Sequence, residues 1–504
     1  MNIEHEQDVE RLRKAAQLLE NENKKLIKRT IDLEREVLAL KGMSPSELQY
    51  RLKLLESQLQ QRNKALFGDK TEKRRSESSA KDADAKTKER QTGHGPREQT
   101  SLPREEQVHT LDEADKTCPG CGECLPEWPG QFETSDEIDV IERHFVIRHH
   151  KRQKYKCGCG HIETALGADK LQPGGRYSIN FGVGVAFEKY WYHSPLERQA
   201  RKMLMEDLQV DSQTLWDQIA RVAQLLAPVY DNLRAYILKK DVIGVDETHW
   251  RMLSAKGKDE GINKRWQVWA TCSSDAVAYS IRDSRGAKAA KDVLGDYAGV
   301  IMCDGYAVYE SLSAENSKLR IAHCLAHVRR KFLEARDDFP TQADEALEII
   351  GALYGVEAEA QTGPPETLLH RREKLRAEKS KPAMLKLQQW AYAQKVLPQS
   401  SIGRAISYMG EVWDGLQVFL NDPAVDIDNN ATERALRGIV LGRKNHYGSK
   451  SQRGTEVAAL FYTLIESCKL NDVDPRRYLE TMTRRAVRGE TLLMPHEFAA
   501  ETAA

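Results

Sequence analysis

The chain has 504 residues, which is too long for a single hydrophobic core and predicts three or four domains. Lys and Arg together number 76, as do Asp and Glu, so the net charge gives no electrostatic sign of a nucleic-acid partner, and any such contact must rest on local basic patches. The sequence has no apolar run of about 18 residues and no signal peptide in its first residues, so we expect no membrane span and a cytoplasmic protein.

The N-terminal segment has the heptad pattern of a leucine zipper. Leu recurs every seven residues from Leu12 to Leu40, and Asn23 falls at an a position of the same heptads. Leu at d with one Asn at a favours a parallel dimer in fixed register. Residues 1–67 therefore predict a coiled coil that forms a homodimer or a higher oligomer, and an amphipathic helix on the protein's own core is the alternative. Residues 68–108 have almost no apolar side chains and predict a flexible linker.

Five of the nine Cys residues cluster in the next module, and in a cytoplasmic chain this favours metal over disulfides. A CxxC pair and a tighter CxC pair bracket residues 137–155, which are rich in β-branched and aromatic side chains typical of paired strands. Cys124 is a spare candidate ligand, and unligated thiols in a small domain are the alternative. We predict a zinc ribbon over residues 109–172, with a structural Zn²⁺ held by the thiolates of Cys118, Cys121, Cys157 and Cys159.

Residues 173–238 are predicted to be helical. One helix begins near Pro195 and another near Asp211, where polar residues precede periodic apolar ones. Short helices joined by tight turns suit a helix-turn-helix-like DNA-binding domain. A helical spacer is the alternative.

Residues 239–338 have the alternating pattern of an α/β domain. Strands are predicted at 241–246, 265–271, 276–282, 299–303 and 319–322, and helices near 286–294 and 324–337. The order of three strands, helix, two strands and helix is that of a ribonuclease H-like core. We therefore predict the first part of such a core at 239–338, an α-helical insertion at 339–425, the second part of the core at 426–470 and a C-terminal extension at 471–504.

Three carboxylates are the candidate catalytic residues. Asp246 and Asp304 each follow an apolar run, and Glu433 lies where a helix begins. Each has a simple alternative role, because Asp is common in turns and Asn430 with Glu433 fits a capping box. Together, two strand-end acids and one helix acid predict a site for two Mg²⁺ ions, with Mn²⁺ as a substitute, because these cations prefer carboxylate oxygens.

Basic and amide side chains cluster beside the third carboxylate, where they would neutralise DNA phosphates next to the metals. His323 and His327 are four residues apart and are predicted to share a helix face, as a metal pair or as packing or DNA-contact residues. The candidate DNA-binding residues are Arg434, Arg437, Arg443, Lys444, Asn445 and Lys450, with Arg329 and Arg330 from the earlier helix.

Motifs along nearly the whole chain resemble those of the large transposase of the insertion sequence 66 family, the TnpC type. They include Leu66-Phe67-Gly68, the two cysteine pairs, Pro195-Leu196, Asp246-Glu247-Thr248, Asp304-Gly305-Tyr306, Ala322-His323-Cys324 and Asn430-Ala431-Thr432-Glu433-Arg434. The second cysteine pair departs from the family pattern, since it is CxC where CxxC is usual.

The resemblance implies a DDE transposase with Asp246, Asp304 and Glu433 as its metal triad. Its partners would be double-stranded DNA, namely the terminal inverted repeats of its element and the target, together with accessory proteins encoded by the same element. The expected location is the bacterial cytoplasm, at the nucleoid when bound to DNA. Two alternatives stay open: a zipper-dimerised, zinc-containing DNA-binding regulator with an inactive nuclease core, and a structure-specific ribonuclease H-like nuclease.

Overall fold

The computed structural model describes residues 123–124, 144–157, 159, 161–253 and 265–503. The predicted coiled coil and linker, and the predicted zinc ligands Cys118 and Cys121, lie outside the described residues. The fold below is that of residues 145–503. No helix within the described ranges is long and apolar enough to cross a membrane.

Two short antiparallel strands come first and form a hairpin. A separate five-stranded mixed sheet lies at the centre of the fold, with the strand order β5-β4-β3-β6-β7. The three strands β3, β4 and β5 are antiparallel, whereas β6 pairs parallel with both β3 and β7. The strands are β1 (Lys154–Lys156), β2 (Ile162–Thr164), β3 (Val242–Arg251), β4 (Arg265–Cys272), β5 (Val277–Arg282), β6 (Val300–Cys303) and β7 (Arg320–His323).

Three helices precede the sheet: α1 (Ile179–Tyr190), α2 (Leu196–Met205) and α3 (Ser212–Ile237). Ser178 and Asp211 cap α1 and α3 by accepting hydrogen bonds from backbone N–H groups of the first turn, at 3.2 Å and 2.6 Å. The buried side of α3 packs against α1 and β5, and its side chains belong to the same hydrophobic core as the sheet. The predicted helical domain at 173–238 therefore shares its core with the sheet.

Three helices connect or follow the later strands: α4 (Ala287–Leu294), α5 (Ala307–Glu315) and α6 (Leu325–Ala335). The strands and the first and third of these helices lie close to the segments predicted from sequence. Helix α5 was absent from that prediction, and β3 continues five residues beyond the predicted end at 246.

A helical segment follows and builds a second hydrophobic core. Arg376 is 1% exposed and donates two hydrogen bonds to Glu357, at 2.7 Å and 2.9 Å. The guanidinium also donates to three backbone carbonyls between 419 and 425. The helices are α7 (Pro340–Ala360), α8 (Leu368–Leu375), α9 (Lys381–Ala393), α10 (Ser401–Glu411) and α11 (Trp413–Leu416), with 3₁₀ turns at Pro365–Thr367 and Val418–Leu420 and a π-helical turn at Arg376–Ser380.

The described chain ends with the helices α12 (Asn430–His446), α13 (Gln452–Leu470), α14 (Pro475–Arg488) and α15 (Pro495–Ala503). Helices α12 and α13 pack on the sheet, whereas α14 packs on α1, α3 and α13, and α15 packs on α13. Helix α13 covers the edge strand β5. The hydroxyls of Thr463 and Ser467 accept hydrogen bonds from the backbone N–H groups of Tyr279 and Val277, at 2.9 Å and 3.1 Å. These hydroxyls satisfy donors that an uncovered sheet edge would leave for another chain.

Candidate active site

Asp246 and Asp304 lie side by side at the centre of the sheet. The parallel strands β3 and β6 pair Gly244 with Met302, and each Asp lies two residues beyond this pair. Asp246 and Asp304 are therefore in register on neighbouring strands, which are about 4.8 Å apart in a sheet. Asp304 follows the end of β6, as predicted. Asp246 is an interior residue of β3, because the strand continues in its pairing with β4.

The start of helix α12 carries Glu433 to the same place. Helix α12 packs against β3 at Gly244, where a Cβ would overlap the Thr432 hydroxyl and lie 2.7 Å from Oδ1 of Asn429. Asn429 also donates from Nδ2 to the Val245 carbonyl at 2.9 Å. Only glycine permits this close approach of strand and helix, so the contact positions Glu433 opposite Asp246.

Glu433 is not a helix cap. The N-cap position is Asn429, and the Asn430 side chain donates to Asp428 at 2.6 Å, so the capping-box alternative is wrong. The Glu433 carboxylate instead faces helix α6, where Oε1 is 3.8 Å from Nε2 of His327 and Oε2 is 3.6 Å from Nη2 of Arg330. Oε1 is buried and has no hydrogen-bond partner among the residues that the structure describes.

The electrostatics of Asp246 reflect this crowding of acids. Burial, together with the charges of Glu247, Asp304 and Glu433, raises the pKa of Asp246 from 3.8 to about 7. The Glu247 backbone N–H, which donates to Oδ1 of Asp246 at 2.7 Å, opposes the shift. The site therefore holds more negative charge than its burial favours, which is the condition in which a carboxylate cluster binds a cation.

A buried polar network supports the strand segment that carries Asp246. Glu247, with a side chain only 1% exposed, accepts hydrogen bonds from Arg285 at 2.5 Å and from the Tyr309 hydroxyl at 2.7 Å. Arg285 also stacks over the Tyr306 ring, 3.8 Å from its centroid, and Tyr306 follows Asp304 closely along the chain. The network thus joins the segments of both aspartates. Glu247 and Arg285 were not among the site residues predicted from the sequence, although Glu247 stands in the Asp246-Glu247-Thr248 motif.

A family model described as "Transposase IS66 family" matches residues 174–457 of the chain. The chain belongs to the IS66 family of transposases. Among its relatives in Sinorhizobium fredii (strain NBRC 101917 / NGR234), the uncharacterized protein y4jD is 31% identical over 378 residues, which cover 71% of this chain and 73% of the relative. The uncharacterized protein y4hP is 29% identical over 409 residues, or 75% and 72%. The family resemblance of the sequence motifs is confirmed.

Most candidate DNA-binding residues of this IS66 family transposase lie on exposed surface. Arg437 is one turn beyond Glu433 on α12, and Arg329 and Arg330 lie on α6 across from it. The side chains that the structure leaves exposed are those of Arg329, Arg434, Arg437, Lys444, Asn445 and Lys450, whereas Arg330 and Arg443 are partly buried.

Two basic side chains of α12, Arg443 and His446, have partners within the fold. Arg443 donates to the Thr248 hydroxyl at 3.1 Å and to the His249 carbonyl, and thereby ties α12 to β3. His446 lies beside Trp250, and burial lowers its pKa to about 3. His446 is therefore neutral at physiological pH and adds no charge to the basic surface.

His323 and His327 do not share a helix. His323 is the last residue of β7, and helix α6 begins at Leu325, so the prediction of a common helix face is wrong. His323 is buried, with Nδ1 3.1 Å from the Val412 carbonyl and Nε2 3.2 Å from Oε1 of Glu310. His323 therefore joins the sheet to the helical segment, whereas His327 faces Glu433.

The second predicted zinc pair lies in a hairpin turn. Cys157 and Cys159 lie between β1 and β2, and both are exposed. The Cys157 backbone N–H donates to the His161 carbonyl at 2.8 Å and closes the turn. Cys124 is also exposed. Because Cys118 and Cys121 lie outside the described residues, the four-thiolate zinc site stays a prediction.

Proposed function

We propose that the protein is a DDE transposase that hydrolyses the DNA ends of its insertion sequence and joins the freed 3′-hydroxyls to target DNA. Membership of the IS66 family supports a transposase role. The observation that carries the chemistry is the convergence of Asp246, Asp304 and Glu433, from two neighbouring strands and a helix 129 residues further on (433 − 304), at one position of the sheet.

The chemistry of the donor set supports the binding of divalent cations. The pKa of Asp246 is raised to about 7 beside three other acids, and one oxygen of Glu433 is buried without a hydrogen bond. A bound cation would stabilise both a carboxylate whose pKa is raised by burial and neighbouring acids and a buried carboxylate oxygen without a hydrogen bond. An all-oxygen set suits Mg²⁺, or Mn²⁺ as a substitute. Bound metal would supply Lewis-acid activation of water or a 3′-hydroxyl and stabilisation of the leaving oxygen.

The chain's own residues bind and orient the DNA in this proposal. Arg330 stands 3.6 Å from Oε2 of Glu433, and Arg437 follows one turn later on the exposed side of α12. In this proposal, these guanidiniums bind DNA phosphates near the carboxylates. Lys444, Asn445 and Lys450 extend the exposed polar surface along the same helix and past its end.

The sheet supports a ribonuclease H-like assignment of the core. Its order, with three antiparallel strands followed by two parallel ones, is the order expected for that fold, and the helical segment at 339–425 interrupts the core before α12. We further propose that the protein forms a dimer through a leucine zipper in residues 1–67. The zinc ribbon at 109–172 and the helices at 173–238 bind the DNA ends in this proposal. The terminal inverted repeats are the proposed DNA sites.

The test is strand cleavage and strand transfer on a duplex that carries one end of the element. Asp304→Asn and Glu433→Gln remove one ligand charge each and are expected to lower both steps at least 100-fold in Mg²⁺ while end binding persists. Asp283→Asn, an exposed Asp just beyond β5, is the charge-matched control and is expected to react like the parent.

The products separate the proposal from its alternatives. Joined target DNA in the parent, and none in Asp304→Asn, supports the transposase. Nicked ends without joining would instead indicate a structure-specific nuclease. End binding without any metal-dependent cleavage would indicate a regulator. Strand transfer by Asp304→Asn at the parent rate would refute the proposed mechanism.

A further inference from the structure

A second set of metal-ligating side chains lies beside the candidate triad and shares one member with it. Cys324 precedes α6, and His327 lies one turn later on that helix and faces Glu433. One potential ligand atom from each of Cys324, His327 and Glu433 lies within 4.8 Å of the other two. Ligands around a tetrahedral zinc are about 3.5 Å apart at bond lengths of about 2.0–2.3 Å, so small side-chain rotations would close this set around an ion.

Two buried atoms of this set have no hydrogen-bond partner in the described part of the chain. They are Nδ1 of His327 and Oε1 of Glu433. Buried polar atoms are nearly always paired, and one left without a partner costs about 1–3 kcal/mol. Two such atoms on neighbouring side chains indicate a site that is completed by something outside the protein.

The chemistry of the donors selects the ligand. A thiolate, an imidazole and a carboxylate form the mixed set that zinc prefers, whereas Mg²⁺ favours oxygen alone. The Asn429 backbone N–H donates to Sγ of Cys324 at 3.1 Å, which is the outer hydrogen bond that orients a ligating sulfur. From this geometry we infer that Cys324, His327 and Glu433 bind a thiophilic divalent cation of the zinc type, with the fourth position open to water or a phosphate oxygen.

Because Glu433 belongs to both sites, zinc and Mg²⁺ compete for it, an inference that rests on the proposed function. A cation held by Cys324 and His327 engages the carboxylate that Asp246 and Asp304 need for Mg²⁺. Glu433 therefore cannot serve both sites at once, and a cation in the Cys324–His327–Glu433 site prevents metal binding by the complete triad. Zinc inhibits the Mg²⁺-dependent reaction by withdrawing this ligand, and the inhibition weakens as the Mg²⁺ concentration rises.

The binding test uses Co²⁺ as a spectroscopic probe on the full chain, with bound metal per chain measured after dialysis. We expect Cys324→Ser and His327→Gln each to bind about one equivalent of Co²⁺ less than the parent. Cys324→Ser is also expected to lose part of the sulfur-to-cobalt charge-transfer absorption. Cys468→Ala removes an equally buried thiol on α13 and is expected to keep both. The predicted ribbon contributes equally to all variants. Circular dichroism checks folding, and His327→Gln carries the test if Cys324→Ser does not fold.

Asp304→Asn separates this inference from the proposed function. It removes a triad ligand but none of the second set, so it is expected to lose cleavage and keep its full Co²⁺ content. In the cleavage assay, the zinc concentration that halves the rate is expected to rise at least tenfold in Cys324→Ser relative to Cys468→Ala. Equal Co²⁺ content in Cys324→Ser, His327→Gln and the parent would overturn the inference, whatever Asp304→Asn does.

Discussion

Asp246→Asn is expected to stabilise the metal-free protein above pH 7 while it abolishes cleavage. A carboxyl group whose pKa is higher in the folded than in the unfolded chain binds its proton more tightly when folded. Its contribution to stability is therefore fully present below pH 3.8 and is lost as the pH rises to about 7. Asn stays neutral at every pH and avoids this loss, and its Oδ1 can still accept the hydrogen bond from the Glu247 N–H.

The size of the effect follows from the pKa. The interval from 3.8 to about 7 corresponds to about 4 kcal/mol, at about 1.4 kcal/mol per pKa unit. Neighbouring acids share the proton, and water reaches this partly buried group, so we expect about 2–3 kcal/mol in the free energy of unfolding at pH 8. With a urea dependence of about 2–3 kcal/mol per M, the transition midpoint rises by about 1 M.

The assay is urea unfolding in a chelator at pH 4 and pH 8, followed by tryptophan fluorescence, which includes the buried Trp250 and Trp269 of the sheet. Asp283→Asn controls for the loss of one surface charge. Addition of Mg²⁺ at pH 8 is expected to raise the midpoint of the parent more than that of Asp246→Asn. Two outcomes would show that the Asp246 charge does not destabilise the fold: an Asp246→Asn variant no more stable than the parent at pH 8, or one more stable by the same amount at both pH values.

Two further substitutions test the supports of the site. Gly244→Ala places a Cβ against Thr432 and Asn429 and is expected to cost about 1–3 kcal/mol in urea unfolding and to lower the cleavage rate, because α12 must shift away from β3. Glu247→Gln removes the charge that Arg285 pairs with. We expect a loss of about 1–2 kcal/mol in stability and a lower kcat, with an unchanged KM for DNA, because Glu247 is buried next to Asp246. An unchanged kcat in Glu247→Gln would argue against this positioning role.

Much of the sheet could be predicted from local pattern. Apolar runs of four residues mark β6 and the start of β5, at 276–279, because buried strands are apolar on both faces. The same rule predicts the end of β3 too early, at 246 instead of Arg251. After Val245 the strand is largely polar and only partly buried, and it persists because β4 pairs with it as far as Arg251. Strand pairing of this kind is a long-range property that a local pattern does not contain.

The arrangement around Glu433 was less accessible from sequence. The polar residues Asp428, Asn429 and Asn430 stand next to one another before the helix, and local rules assign the cap to Asn430. In the structure, Asn429 takes that position and directs its side chain to the Val245 carbonyl, which is far away in sequence. Similarly, the spacing of His323 and His327 fits a helix, but a strand ends at the first of them because it pairs with β6.

The long separation between Asp304 and Glu433 is bridged by a series of anchors. Arg376, buried in the helical segment, binds three carbonyls between 419 and 425 and so fixes the chain as it leaves that segment. The Ile427 carbonyl then accepts a hydrogen bond from the first residue of α6 at 3.1 Å, and Asn429 binds β3. Each anchor limits the position of the next, so Glu433 reaches the sheet in a defined place, although Val425 and Ile427 just before it belong to the second hydrophobic core. The sheet and the last residues of the inserted segment together position Glu433. The candidate site can therefore tolerate a long helical segment between Asp304 and Glu433.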